Sequence, residues 1–266
     1  VFRHLEFCKQ CLKPDWDVHL ISTTDHWAQF AIAGPNSRKL LQEICGPKVD
    51  ISNDKFPFMA CAEITVLEGI PARLFRISFS GELAYEIAVP RRYADFFVKR
   101  ISEIGKKYSL VPYGTEALGV MRIEKGHAAG NELNGQTTAH NLGLGKMVSK
   151  LNDCIGNSMS ERDELNKDDA LKLVGFIPTN KKQQLVAGSH FIEKGQIANL
   201  ENDQGWMSSV AFSPMLNHSI GLGYIKRGNQ RYGEKVNAVN PLKNEITEVE
   251  IHSPHFYDPE GELLRG

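Results

Sequence analysis

Apolar residues recur along this chain in two rhythms, and the change from one to the other divides it. Leu5, Cys8 and Leu12 fall on one helical face across residues 2–13, until Pro14, whose ring and missing N–H stop a helix. Val18 to Thr23 and Trp27 to Ala33 read as strands. Gly34-Pro35-Asn36-Ser37 reads as a turn into a helix carrying Leu40, Leu41 and Ile44, which Gly46-Pro47 closes. Ala62 to Leu67, Ala72 to Phe79 and Leu83 to Val89 are rich in β-branched and aromatic residues. The short turns Glu68-Gly69 and Ser80-Gly81 between them predict consecutive antiparallel strands. Past Pro90, the spacing of Tyr93, Phe96, Phe97, Ile101 and Ile104 predicts a helix covering one face of that sheet. A second helix is expected over 114–125, with Leu118, Met121 and Arg122 on successive turns.

Residues 150–170 are polar and charged with no apolar stripe, as in a connector. Beyond them short strand-like segments follow one another: 171–177, 190–193, 205–212, 219–225, 235–239 and 245–251. Turn residues such as Asn202-Asp203 and Arg227-Gly228-Asn229 punctuate them. Regular short strands of this kind predict a small antiparallel barrel or sandwich. The order of elements therefore gives an α+β unit over 1–150, with helices on one side of an antiparallel sheet, and an all-β unit over 171–266. A length of 266 residues agrees with two folded units, since single hydrophobic cores stop growing near ~250 residues.

Composition narrows the partners. The chain is 41% apolar and 24% charged with a formal net charge of −1. It therefore lacks the basic excess that marks proteins of nucleic acid or of anionic membrane surfaces, and a small molecule or another protein is the expected partner. No apolar run approaches the ~18–20 residues of a membrane helix. Charges occur throughout residues 1–20, unlike a signal peptide, so the cytoplasm is the expected compartment. Five dispersed cysteines suit reduced thiols better than a disulfide framework. Cys8 and Cys11 have metal-ligand spacing, but a zinc site needs a second pair, so the structural reading is favoured and no metal is expected. The chain opens at Val1, already inside a helical pattern, and is expected to be a fragment.

Few residues suggest chemistry on their own. Glu82 and Glu86 flank the start of a strand, where one of them could face a pocket. A carboxylate there can accept two in-plane hydrogen bonds from the N–H edge of a heterocycle, although an exposed strand-end acid is the commoner case. His127 follows Gly126 at a helix end, where a cap or surface role competes with a ligand or base role. Phe79 and Tyr85 could stack on a planar ring, or belong to the core. Gly143-Leu144-Gly145 and Gly221-Leu222-Gly223 are not phosphate loops. Ser208-Ser209 has no His/Asp partner at recognisable spacing, so no nucleophile is expected there.

Two stretches go further, Ser78 to Ile87 (SFSGELAYEI) and Pro112 to Gly126 (PYGTEALGVMRIEKG). Both resemble the folate-binding aminomethyltransferase family, whose best-known member is the glycine cleavage T-protein. The stretch from Gly205 to Ile225 resembles that family's barrel domain. Within the family, Leu5 to Cys8, Trp27 to Gln29, Ile123 to His127, Thr137 to Ala139, Leu142 to Met147 and His255 to Gly261 look most like the C-terminal part of sarcosine oxidase alpha subunits. Dimethylglycine dehydrogenase is the nearest competitor.

The resemblance implies an N-terminally truncated, ferredoxin-like folate domain followed by the barrel. It implies tetrahydrofolate as ligand, with FAD, FMN and NAD expected only in other regions or subunits of the complex. The implied reaction forms 5,10-methylenetetrahydrofolate from the one-carbon unit released by amine oxidation, and the implied partners are other sarcosine oxidase subunits. By matched position Glu86 would hold the pterin ring, Phe79 and His127 would line its pocket, and Tyr257 would approach from the barrel domain. Two departures stand out. Ala117-Leu118-Gly119 falls where the T-protein carries Ala-Arg-Asp, which removes an arginine contact. The family's catalytic aspartate would lie upstream of Val1, so no catalytic residue is assigned and this polypeptide is expected to be inactive by itself. Two other readings share the fold: a non-catalytic scaffold or assembly module, and an aminomethyltransferase or demethylase.

Overall fold

A computed structural model describes residues 1–67, 69–148 and 154–266. Glu68 of the expected Glu68-Gly69 turn, and residues 150–153 at the start of the expected connector, lie outside the described residues. The chain packs as two compact units, one of residues 1–77 and 85–110, the other of residues 78–84 and 111–266.

The first unit is a four-stranded sheet with helices. Its elements are α1 (Phe2–Phe7), β1 (Trp27–Ala33), α2 (Ser37–Cys45), β2 (Cys61–Val66), β3 (Ile70–Phe75), β4 (Ala84–Pro90) and α3 (Ala94–Gly105), and the strands lie in the order β1-β4-β3-β2. β3 pairs antiparallel with both neighbours, setting Ile64 opposite Ala72 and Phe75 opposite Glu86. Alternation along β3 buries Ile70, Ala72 and Leu74. Leu40, Leu41 and Ile44 of α2 and Phe97 and Ile101 of α3 supply buried apolar side chains at the predicted spacing. Phe97 stacks on Phe30 of β1 with ring centroids 5.2 Å apart.

Three expectations for this unit fail, each for a physical reason. Residues 18–23 form no strand: Ile21 is 78% exposed, and a β-branched run without a ladder partner has nothing to pair with. The helix over 2–13 is α-helical only to Phe7. It continues as a wide π turn over Cys8–Leu12, in which Lys13 N–H reaches Cys8 O at 2.8 Å. The strand expected to reach Phe79 ends at Phe75, because the chain leading into its neighbour β2 turns away at Met59, whose φ is +72°, leaving the Arg76 backbone bonded to Ala60 O and Met59 N–H just before β2 begins. Arg76 continues the inward face. Fully buried, it donates to Asn53 Oδ1 at 2.9 Å and to Phe56 O at 3.0 Å and lies over the Tyr85 ring.

The second unit contains α4 (Thr115–Lys125) and a closed barrel. The barrel strands are β5 (Leu171–Pro178), β6 (His190–Ile192), β7 (Asp203–Ser213), β8 (His218–Lys226), β9 (Lys235–Asn240) and β10 (Glu245–His252). They close in the order β10-β5-β8-β7-β6-β9, each pair antiparallel. Closure removes the free sheet edges that short strands would otherwise expose. Inward residues such as Val174, Phe191, Met207, Val236 and Ile251 fill the interior, where Phe176 and Phe191 stack at 4.0 Å. A second cluster forms where Ile123 of α4 packs with Leu173, Ile220, Leu222 and Tyr224 on the barrel wall. Among its described residues the connector carries only short helical turns, at 157–160 and 163–165. The fold class is α+β followed by a small barrel, as the sequence pattern predicts.

Candidate functional site

The second unit is organised around the last turn of α4. That turn, Arg122-Ile123-Glu124-Lys125, is buried throughout although three of its four residues are charged. A helix C-terminus leaves carbonyls without partners, and burying them requires substitutes for water. Gly126 supplies one solution: at φ +77° it turns the chain so that His127 N–H closes onto Arg122 O at 2.8 Å. The C-terminal segment supplies the other. Phe256 and Tyr257 N–H both donate to Glu124 O at 2.9 Å, and His255 Nδ1–H donates to Lys125 O at 2.8 Å. This approach is so close that a Cβ on Gly126 would stand 2.4 Å from Pro254 O.

Each charge in the turn has its own partner. Arg122 meets Glu132 Oε2 at 2.9 Å and donates to Ser209 Oγ at 2.7 Å, while Ser208 and Ser209 each donate to Glu132 Oε1 at 2.6 Å. Two consecutive strand residues cannot normally reach one atom, because side chains alternate between faces. A bulge between Met207 and Ser209 breaks the alternation here. Glu124 Oε1 accepts from Ser213 Oγ at 2.6 Å, and Lys125 Nζ contacts Asp258 Oδ2 at 2.8 Å. Burial pushes the Glu132 carboxyl up, but the two serines, the Ala129 amide and Arg122 together hold it below its ordinary value. Asp258 behaves likewise: burial raises it, and Lys125 with the amides of Leu263 and Leu264 brings it below the usual carboxylate value. The serines thus lie inside a strand as donors to a buried carboxylate 76 and 77 residues away in the chain, a partner that no recognisable spacing announces.

Two of the predicted site residues meet beside this turn. The rings of Phe79 and His127 stack at 5.8 Å, and His127 Nδ1–H donates to Phe79 O at 3.0 Å. That bond fixes Nδ1 as the protonated nitrogen, so neutral His127 presents Nε2 as an acceptor. Burial, opposed by the bond to Phe79 and helped by the charges of Lys125 and His255, keeps the imidazole below its ordinary titration point. Phe79 remains 40% exposed, which leaves ring surface open. Tyr257 lies in the same unit, its hydroxyl donating to Glu82 Oε1 at 2.8 Å. That carboxylate, with burial and the nearby Asp258 and Glu124, raises the phenol to about 12.

Glu86 belongs to the other unit. It sits on β4, where five of seven residues are buried, is itself half-buried, and accepts from Gln29 Nε2 of β1. Next to it Tyr85 is fully buried, its hydroxyl accepting from Arg38 Nε at 2.9 Å, so Tyr85 is core and not a stacking platform. Glu132, Asp258 and Lys125 are not among the predicted site residues. Their polar letters read as solvated surface, and their partners lie 10 and 133 residues away.

A glycine cleavage GCVT N-terminal domain matches residues 1–152, and the glycine cleavage T-protein C-terminal barrel domain matches residues 172–258. The chain belongs to the glycine cleavage T-protein family. It is similar to the sarcosine oxidase subunit alpha of Rhizobium meliloti (strain 1021), with 46% identity over 266 residues, 99% of this chain and 27% of that protein. The corresponding subunit of Corynebacterium sp. (strain U-96) is 33% identical over 98% of this chain and 28% of its own length. An aminomethyltransferase of Thermoanaerobacter sp. (strain X514) is 26% identical over 91% of this chain and 62% of that protein. The fold is also that of the glycine cleavage system aminomethyltransferase T from Bartonella henselae. The TM-score is 0.66 at 19% identity, over 88% of this chain and 60% of the other. The chain thus spans a little over a quarter of the sarcosine oxidase subunits it matches. Among the described residues no helix is long and apolar enough to cross a membrane, and no cluster of His, Cys, Asp and Glu is arranged to hold a metal ion.

Proposed function

We propose that this chain is the tetrahydrofolate-binding part of a sarcosine oxidase alpha subunit. It would act where the one-carbon unit released by amine oxidation becomes 5,10-methylenetetrahydrofolate. The observation that carries this reading is the extent of the likeness to sarcosine oxidase alpha subunits: 46% identity over 99% of the chain, against 26% over 91% for an aminomethyltransferase. Folate binding is general to the family. The residues present suit a pterin. Phe79 offers partly exposed ring surface against His127, suited to a flat heterocycle, and neutral His127 offers Nε2 as an acceptor. Glu86 is a half-buried carboxylate with an amide partner in Gln29, suited to accepting hydrogen bonds from a pterin N–H edge.

On this reading tetrahydrofolate supplies the amine that takes up the one-carbon unit, and this chain binds and orients it. Holding two reactants in register can contribute up to roughly 7–11 kcal/mol to such a step. FAD, FMN and NAD belong to other parts of the complex, and the partners are its other subunits, in the cytoplasm. The functional boundaries are a folate-binding region over 1–150 and a barrel region over 171–266.

Calorimetric titration of the 266-residue chain with tetrahydrofolate tests the reading, with Glu86→Ala beside it. Saturable binding is expected for the wild type and at least tenfold weaker binding for the variant, the scale of losing a hydrogen bond to a charged group. Equal affinity in both would remove Glu86 from the pterin site. No heat from the wild type would favour the scaffold or assembly reading.

A further inference from the structure

The loop from Ser78 to Ala84 carries Phe79 at its start and Glu82 three residues on, and it is braced from both sides. Within it, Gly81 N–H donates to Ser78 Oγ at 3.1 Å. Outside it, the Tyr257 hydroxyl holds Glu82 Oε1 at 2.8 Å. Gly81 lies so close to Lys125 that a Cβ would meet its Cδ at 2.8 Å, and Lys125 is itself fixed by Asp258. Tyr257 and Asp258 are neighbours on one segment, anchored by the Tyr257 N–H on Glu124 O. A short path of contacts therefore runs from the C-terminal segment through Glu82 to the loop whose Phe79 carbonyl and ring hold His127.

We propose that Tyr257, acting through Glu82, is a positioning residue that holds Phe79 against His127 and so sets the affinity of this chain for the pterin ring. The inference rests on the folate reading and deepens it. The Tyr257 hydroxyl is already committed to Glu82, so its contribution runs through the loop and not through a direct bond to the ligand. A phenol donating to a carboxylate is a charge-assisted bond, strong enough to decide between conformations of a seven-residue loop.

The test uses Tyr257→Phe, which removes the hydroxyl and keeps the ring, and Glu82→Ala, which removes the same bond from the loop side if the first variant folds poorly. Two readouts are taken. The first needs no ligand: NMR titration of the His127 ring. In the wild type His127 titrates below its ordinary value, faced by Lys125 and His255 and covered by Phe79. Loss of the brace releases Phe79, taking away both cover that lowers the titration point and the carbonyl bond that raises it, so the titration moves from its wild-type value. The second is the tetrahydrofolate affinity, expected to fall about tenfold in either single variant and no further in the double variant, since both remove one interaction.

An unchanged His127 titration with affinity within twofold of wild type overturns the proposal. So does an additive double variant. If the wild type binds no tetrahydrofolate, the folate reading falls, and the His127 titration alone judges the brace: a shift upholds it, a fixed value sinks it.

Discussion

The two units differ in how deeply they bury their ion pairs. In the sheet unit Lys99 with Asp95, Arg100 with Glu103, Arg73 with Glu63 and Lys107 with Glu43 all involve side chains at least 35% exposed. In the barrel unit Arg122–Glu132 and Lys125–Asp258 involve side chains no more than 11% exposed. The difference follows from what each must satisfy. The helices of the sheet unit present charge outward and bury an apolar stripe. The end of α4 is buried whole, so its carbonyls and charges must find protein partners in place of solvent. Arg76 is a buried charge of the sheet unit, and it donates to the neutral oxygens of Asn53 and Phe56. The barrel unit has exposed pairs too, such as Lys167–Glu164, but its buried pairs fasten the end of α4 and lie beside the Phe79–His127 pair.

The largest expected effect comes from removing one fastener. Glu132→Ala leaves Arg122 buried without its carboxylate and strips Ser208 and Ser209 of their acceptor, which is expected to cost about 3–5 kcal/mol. The denaturation midpoint of the barrel unit reads this directly. A loss below the scatter of repeated curves would mean that the network is no more structural than a surface pair.

Acidification sharpens the contrast with a smaller effect. Glu132 and Asp258 are held below their ordinary values of 4.5 and 3.8, so the folded state stays ionised where the unfolded chain takes up protons. Their contribution is complete above those ordinary values and is lost as pH falls through the lower, folded ones. His127, depressed for the opposite reason, adds an earlier step: the fold keeps it neutral, so stability begins to fall below its ordinary value of 6.5. Denaturation curves collected from neutral pH downward should show both steps, and Glu132→Gln should flatten the more acidic one. A variant curve parallel to the wild type would remove Glu132 as its source.

The same contrast explains what could be read from sequence. All six barrel strands were legible, 171–177 against an observed Leu171–Pro178 and 235–239 against Lys235–Asn240, because alternation and turn residues are local signals. So were α2 and α3, whose stripes faced a core. The run Arg122-Ile-Glu-Lys125 was not, since its letters match a solvated helix face and its partners include Ser209, 87 residues on, and Asp258, 133 residues on. Residues 18–23 misled for the converse reason: their strand propensity was real, but a strand also needs a neighbour. Phe79 and His127 each stood out by residue type, but that they line one pocket was implied by family resemblance, not by pattern. Weighing Glu82 against Glu86 by strand position could not find Tyr257, which lies 175 residues from Glu82.

The smallest effect expected is none, and it completes the comparison. Lys99 and Asp95 are one helical turn apart on α3, 2.7 Å from each other, with side chains 69% and 81% exposed. Each already has water as a partner, so ordering both long side chains offsets most of their attraction, and salt at ~0.15 M screens charges beyond about 8 Å. Lys99→Ala should therefore leave the denaturation midpoint where it was, at low and at physiological salt alike, because Phe97 and Ile101 still bury the opposite face of α3. Alanine also suits a helix interior, which works against any loss. A midpoint shift in Lys99→Ala as large as that of Glu132→Ala would show that exposed charge also fastens the sheet unit, and the distinction between the two units would collapse.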